Sequence, residues 1–142
     1  MREDTIIVTD FARPRANYPH ARRAGAFLFV SGLSSRRADD TLAGVTRTPD
    51  GQVIRDIAEQ TEAVIENLRT VLRAAGADLD HLVDVTVFLV NMADYAAFNA
   101  VYDRYFSATT GPTRTTVAVR ELPHPDLLIE IKAVALVDST PD

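Results

Sequence analysis

One amphipathic segment limits what this chain can fold into. Between residues 56 and 75, Ile57, Thr61, Val64, Ile65, Leu68, Val71, Leu72 and Ala75 recur at three- and four-residue spacing, which places them on one face of a helix. Such a helix must bury its stripe against another layer. Asp56 followed by Glu59 has the spacing of a capping box, and Gly76 suits the left-handed residue that ends a helix. A second stripe, Phe98, Val101, Tyr102, Tyr105 and Phe106, predicts a helix over residues 94–106. Both stripes read as core, and Tyr95, Tyr102 and Tyr105 read as packing residues rather than stacking platforms.

Segments rich in β-branched and aromatic residues supply the opposing layer. They lie at 5–9, 21–25 leading into 27–31, 42–45, 82–90, 113–119 and 127–137. In 82–90, alternation puts Val83, Val85, Val87 and Leu89 on one face and Asp84, Thr86 and Phe88 on the other. One face takes the helices. The other, with Phe88, Val90, Leu128, Val134 and Leu136, is too apolar for a sheet open to water, so a neighbouring subunit is expected there. The element order predicts an α+β sandwich with both helices on one face. At 142 residues, with no repeat, low-complexity tract or linker, the chain is expected to form a single domain spanning 1–142.

Composition removes several function classes. There is no cysteine, which excludes thiol nucleophiles, CxxC redox chemistry and cysteine zinc sites, and fits a reducing compartment. The net charge of -5 argues against nonspecific binding to a phosphate backbone. Lys132 is the only lysine among 15 basic residues, so no P-loop lysine is at hand. His20, His81 and His124 lack metal-ligand spacing. The start, MREDTIIVTDF, lacks the longer apolar segment of a signal peptide and no stretch reaches membrane-spanning length, so a cytoplasmic protein is the expectation.

Two charged residues in apolar strands draw attention. In LLIEIKAVALV, Glu130 and Lys132 share a face among aliphatic residues. Charge patterning favours an edge-strand pair, exposed or mutually neutralised; the alternative is a carboxylate in a cleft, where desolvation raises its pKa and lets it orient or deprotonate water. Spacing does not separate the two. In GPTRTTVAV, Arg114 and Thr116 share one face, opposite Thr113, Thr115, Val117 and Val119. A guanidinium there is either a surface charge or a bidentate clamp for a carboxylate.

Together these residues resemble the Rid/YjgF family of reactive-intermediate deaminases along nearly the whole chain. The matching pieces are Tyr18 in NYPHA, Ser31-Gly32 after an apolar strand, residues 75–106, GPTRTTV and IEIKAVAL, in that order. The resemblance implies a chorismate-mutase-like subunit, a homotrimer with active sites between subunits, and hydrolysis of enamines and imines to ketones and ammonia without metal or organic cofactor. It assigns Arg114 to the substrate carboxylate, Glu130 to the attacking water, and Tyr18, Ser31, Gly32 and Asn99 to the pocket. Thr116 stands where many members carry cysteine, and Leu33 where glutamine is usual.

The stretch SGLSSRRADDT is more particular. SGLSSRR resembles the 2-aminomuconate deaminase branch, whose substrate is a small dicarboxylate. The reaction implied is hydrolytic deamination of 2-aminomuconate to 2-oxo-3-hexenedioate (4-oxalocrotonate) and ammonia, in aromatic-compound catabolism. A second carboxylate clamp is then expected from Arg36 or Arg37, helped by Ser34 or Ser35. Against this, Asp39 and Asp40 are close enough to pair with both arginines on a solvated loop. The competing readings of the chain are a broad 2-aminoacrylate-type imine deaminase and a non-enzymatic or RNA-acting family member.

Overall fold

A computed structural model describes residues 4–137. Its elements in chain order are β1 (Thr5–Ile6), β2 (Ala21–Ala24), β3 (Phe27–Leu33), β4 (Val45–Arg47), β5 (Val53–Arg55), α1 (Ile57–Ala74), β6 (Leu82–Leu89), α2 (Tyr95–Tyr105), β7 (Thr113–Ala118) and β8 (Ile129–Leu136). Six strands form one sheet in the order β1-β2-β3-β8-β6-β7, with β6 and β7 parallel and every other pairing antiparallel. Strands β4 and β5 make a separate hairpin. Both helices contribute to the core on one sheet face, so the predicted α+β architecture is the observed one. No helix among the described residues is long and apolar enough to cross a membrane.

The predicted stripes are the ones that pack. Val64, Ile65, Leu68, Val71 and Leu72 of α1 and Phe98 and Tyr102 of α2 are buried against Leu28 and Val30 of β3, Val85 and Val87 of β6, and Ile129 and Ile131 of β8. Asp56 caps α1 by accepting a hydrogen bond from Glu59 N, while its own N–H goes to Gly44 O rather than to the Glu59 side chain. The capping box is therefore only half made. Gly76 takes φ +79 and ends the helix as expected.

Three differences from the sequence reading have local causes. Val83 is 41% exposed, because a register shift between Leu82 and Asp84 moves Leu82 into the inward position that simple alternation gives to Val83. The first strand stops at Ile6; beyond it, Val8 N donates to His20 Nδ1, a side-chain pin in place of a ladder. The segment at 42–45 is the approach to a hairpin whose second strand the periodicity missed. Its turn, Thr48-Pro49-Asp50-Gly51, closes with Gly51 N donating to Thr48 O, and that Pro-Asp-Gly run was the available signal.

A buried polar clasp ties the hairpin to the segment entering β8. The Asp126 carboxylate accepts from Arg55 Nη2 at 2.7 Å and from Arg47 Nη2 at 3.2 Å. Buried Gln60 completes the link, donating to Asp126 O and accepting from Leu128 N. Breaking this clasp should be costly at its buried member only. Asp126→Ala is expected to lower the unfolding free energy by about 1–3 kcal/mol. Arg47→Ala, whose side chain is 66% exposed, should cost less than about 1 kcal/mol. Urea denaturation of the two variants measures both, and equal losses would contradict this division.

Candidate functional site

The site is built on an irregularity in β3. Its ladder with β8 runs in register to Val30↔Ala133 and resumes at Leu33↔Ile131, so three residues of β3 are taken up against two of β8. Such a bulge re-aims the backbone. It leaves Ser31 and Gly32 lining a cavity shared with Tyr18, Ser34, Arg36 and Glu130. Ser31 is fixed there by donating from Oγ to Pro19 O at 2.7 Å and from N to His20 O at 2.9 Å.

Glu130 is the reactive-looking group of this cavity. Its carboxylate has no hydrogen-bond or ion-pair partner among the described residues, and desolvation pushes its pKa above the ordinary glutamate value. The edge-strand reading fails on topology, since β8 lies between β3 and β6. Lys132 does not neutralise Glu130 either; its Nζ donates to Val30 O. Gly32 makes room for the carboxylate. A Cβ at that position would lie 2.7 Å from Glu130 Oε2 and 3.0 Å from Cδ, so any other residue there would push the carboxylate from its place.

Arg114 is elsewhere. Its register partner Val85 faces the helices, whereas Glu130 pairs with Phe88 on the opposite sheet face. Arg114 and Glu130 of one chain are thus separated by the intervening strand β6 and by the sheet itself. The guanidinium of Arg114 lies on α2, with Cζ 4.7 Å from the Tyr102 ring centroid and 5.1 Å from that of Phe98, and Nη2 donates to Tyr95 Oη at 3.0 Å. Tyr95 and Tyr102 therefore form a bed for a cation in addition to packing. Thr116 shares this face, and its buried Oγ1 has no partner. Asn99 follows Tyr95 by one helical turn and is half-buried. The expected site residues accordingly fall into two groups: Tyr18, Ser31, Gly32, Ser34, Arg36 and Glu130 in one, Arg114, Thr116 and Asn99 in the other.

The structure also separates the two arginines and the two serines. Arg36 lines the cavity, with its side chain 17% exposed. Arg37 does not line it; its Nη1 donates to Thr41 Oγ1 on the outside of the loop. Ser34 lines the cavity and accepts from Arg36 N, whereas Ser35 is buried with an unpartnered Oγ and does not line it. The solvated-loop alternative also holds in part, because Arg36 Nη1 donates to Asp40 Oδ1 at 2.6 Å.

Sequence reasoning missed Arg15 and Asn67 as cavity residues. Asn67 projects from α1 and donates from Nδ2 to Ser34 O and Arg36 O, holding the loop against the helix. A polar residue beside the apolar stripe was its only signal. His20 lines the cavity but is engaged on both nitrogens, with Nδ1 accepting from Val8 N and Nε2 donating to Ala12 O.

The sequence and the fold both have known relatives. A model of the family described as endoribonuclease L-PSP matches residues 10–137. A RutC family protein of Pyrococcus abyssi is 36% identical over 137 residues, covering 95% of this chain and 98% of that protein. The crystal structure of YyfA, a Rid family protein of Yersinia pestis, has a TM-score of 0.77 at 30% identity, covering 94% of this chain and 98% of that one. The crystal structure of E. coli TdcF with bound serine has a TM-score of 0.77 at 25% identity, covering 96% of this chain and all (100%) of that one.

The burial of Glu130 has a measurable sign. A carboxyl whose pKa rises on folding contributes its full stability below the unfolded-state pKa and loses it as pH rises through the folded-state pKa. Glu130→Gln, which cannot ionise, should therefore gain stability over wild type at about pH 8, the gain vanishing near about pH 3. Urea denaturation at one protein concentration reads the difference; a gain that persists at the acid end would mean that ionisation is not its cause.

Proposed function

The chain belongs to the endoribonuclease L-PSP family, the RutC/Rid group, and from that footing we propose that it hydrolyses enamines and imines to carbonyl compounds and ammonia, in clefts between subunits of a homotrimer. The observation that carries this reading is the placement of Arg114 and Glu130 on opposite faces of one sheet. A carboxylate without a partner and a guanidinium held on an aromatic bed can act on one small molecule only if two copies of the chain bring them together. The outer sheet face is suited to such an assembly, since Phe27, Phe29, Val117 and Leu136 are each 40–45% exposed there.

The chemistry follows from the groups. Arg114 of one copy forks onto the carboxylate beside the imine carbon and fixes the substrate. Glu130 of the next copy accepts a proton from water as the water oxygen attacks that carbon, and its raised pKa makes it a better base than an exposed glutamate. The C=N bond becomes a carbinolamine. Transfer of the proton to nitrogen lets ammonia leave as the C=O bond forms, so imine and water are converted to ketone and ammonia. An imine is already electrophilic, and positioning of water and substrate supplies most of what the reaction needs. TdcF, with serine bound in its crystal structure, is consistent with a small amino-acid-like ligand.

The substrate proposed is 2-aminomuconate, with 2-oxo-3-hexenedioate as product. Arg36 supports it, because it puts a second guanidinium on the wall of the cavity that holds Glu130. The engagement of Arg36 by Asp40 favours the second reading, a broad deaminase of small imines. A ribonucleolytic role fits poorly with a net charge of -5.

Ammonia release from 2-aminomuconate, compared with release from a small monocarboxylate imine, decides between these substrates; preference for the small imine would defeat the dicarboxylate reading. Arg114→Ala is expected to lower kcat/KM by roughly 30-fold to several-thousand-fold, the range for losing a desolvated charge clamp. Arg36→Ala should act mainly on the dicarboxylate, and Arg37→Ala on neither. For shared sites, co-assembly of inactive Arg114→Ala and Glu130→Ala chains in equal amounts should restore about a quarter of wild-type activity, because one cleft in four then joins two intact groups. Absence of any recovery in verified mixed assemblies would rule out clefts between subunits.

A further inference from the structure

The loop carrying Arg36 holds an anion of its own against two arginines of the cavity wall. Arg36 Nη1 donates to Asp40 Oδ1 at 2.6 Å, and Arg15 Nη2 lies 3.6 Å from the same oxygen. Both arginines line the cavity that contains Glu130, whereas Asp40 does not. The three charges are unequally anchored. The Arg36 side chain is 17% exposed, and its Nη2 donates to Arg13 O. Asp40 and Arg15 are each 61% exposed, so their pairing is the loose side of the cluster.

The position of the carboxylate is imposed by the backbone. Asp40 takes φ +70, a left-handed conformation uncommon for a residue with a side chain. The turn around it is tied by Arg37 N donating to Thr41 O, Asp40 N donating to Arg37 O, and Thr41 N donating to Asp39 Oδ1. The two loop aspartates therefore differ in kind: Asp39 is spent on the turn itself, and Asp40 is left to face the arginines.

We propose that Asp40 is a built-in competitor for the distal carboxylate of the substrate, and that Arg15 and Arg36 form the two-armed clamp which a dicarboxylate takes over from it. The proposal rests on the dicarboxylate reading of the cavity. A ligand with one carboxylate is held at Arg114 and has nothing to exchange for Asp40. One with a second carboxylate exchanges a solvated intramolecular pair for contacts with a shielded, pre-positioned guanidinium. Both are then specificity-determining residues of opposite sign: Arg15 favours a ligand with two acidic ends, and Asp40 holds that preference down.

The test is calorimetric binding of two unreactive probes, hexa-2,4-dienedioate and the monocarboxylate hexa-2,4-dienoate, to the assembled wild type and to Asp40→Asn, Asp40→Gly and Arg15→Ala. Asn and Gly both accept the left-handed turn and remove the charge. Both Asp40 variants should bind the dienedioate about three- to tenfold more tightly, with the dienoate changed by less than about twofold. Arg15→Ala should weaken the dienedioate alone by about two- to fivefold. Equal tightening of both probes, or no tightening of the dienedioate, overturns the competitor role. The wild-type preference between probes is a separate readout. Where wild type prefers the dienedioate and the Asp40 variants change nothing, only the competitor fails; where no chain shows a preference, the dicarboxylate reading fails with it.

Discussion

Alternation along β8 sends Ile129, Ile131, Ala133 and Ala135 into the core and leaves Glu130, Lys132, Val134 and Leu136 on the other side. The rest of the molecule depends on this division. Because β8 lies between β3 and β6, its inward residues pack in one core with α1 and with both neighbouring strands, so the register cannot slip by one residue without burying Glu130 and Lys132. The same rule on β7 points Arg114 toward the helices. A core on one face and an unpaired carboxylate on the other are two results of one geometric constraint.

Much of the fold was legible because its signals are local. The α1 stripe, the Asp56 cap, Gly76 and the inward positions of the long strands follow from spacing alone. What escaped depends on pairing between distant segments. Val83 reads as a core residue until the bulge opposite β8 is known, and the β4–β5 hairpin is too short to show a period. The clasp at Asp126 joins side chains 66 to 79 residues apart, which no pattern within one segment reveals.

The candidate site divides similarly. Resemblance supplied residue identities, and the structure supplied the faces they occupy. Tyr18, Ser31, Gly32, Ser34, Arg36 and Glu130 converge, while Arg114, Thr116 and Asn99 lie across the sheet. Spacing could not choose between Arg36 and Arg37, because adjacent residues on a loop have no fixed alternation; here the turn at Asp40 and the Asn67 side chain make the choice. The two opposed readings of the charge run also prove compatible, since a guanidinium can line a cavity and hold a neighbouring carboxylate at once. Glycine at position 32 is explained only by the approach of Glu130, almost a hundred residues further along the chain.

The sheet order carries a consequence for biosynthesis. Strands β3 and β6, which flank β8, both emerge from the ribosome before it, together with the two helices that cover their inner faces. Until β8 arrives, the nascent sheet has a vacant central lane bordered by two long apolar edges, the kind of template on which other chains assemble. Closure is a long-range event, joining residues about a hundred positions apart, and such pairings are slow to form. Glu130 and Lys132 introduce charges into the arriving strand, a segment otherwise suited to stacking with copies of itself. The strand that completes the monomer thus carries its own brake against completing the wrong one.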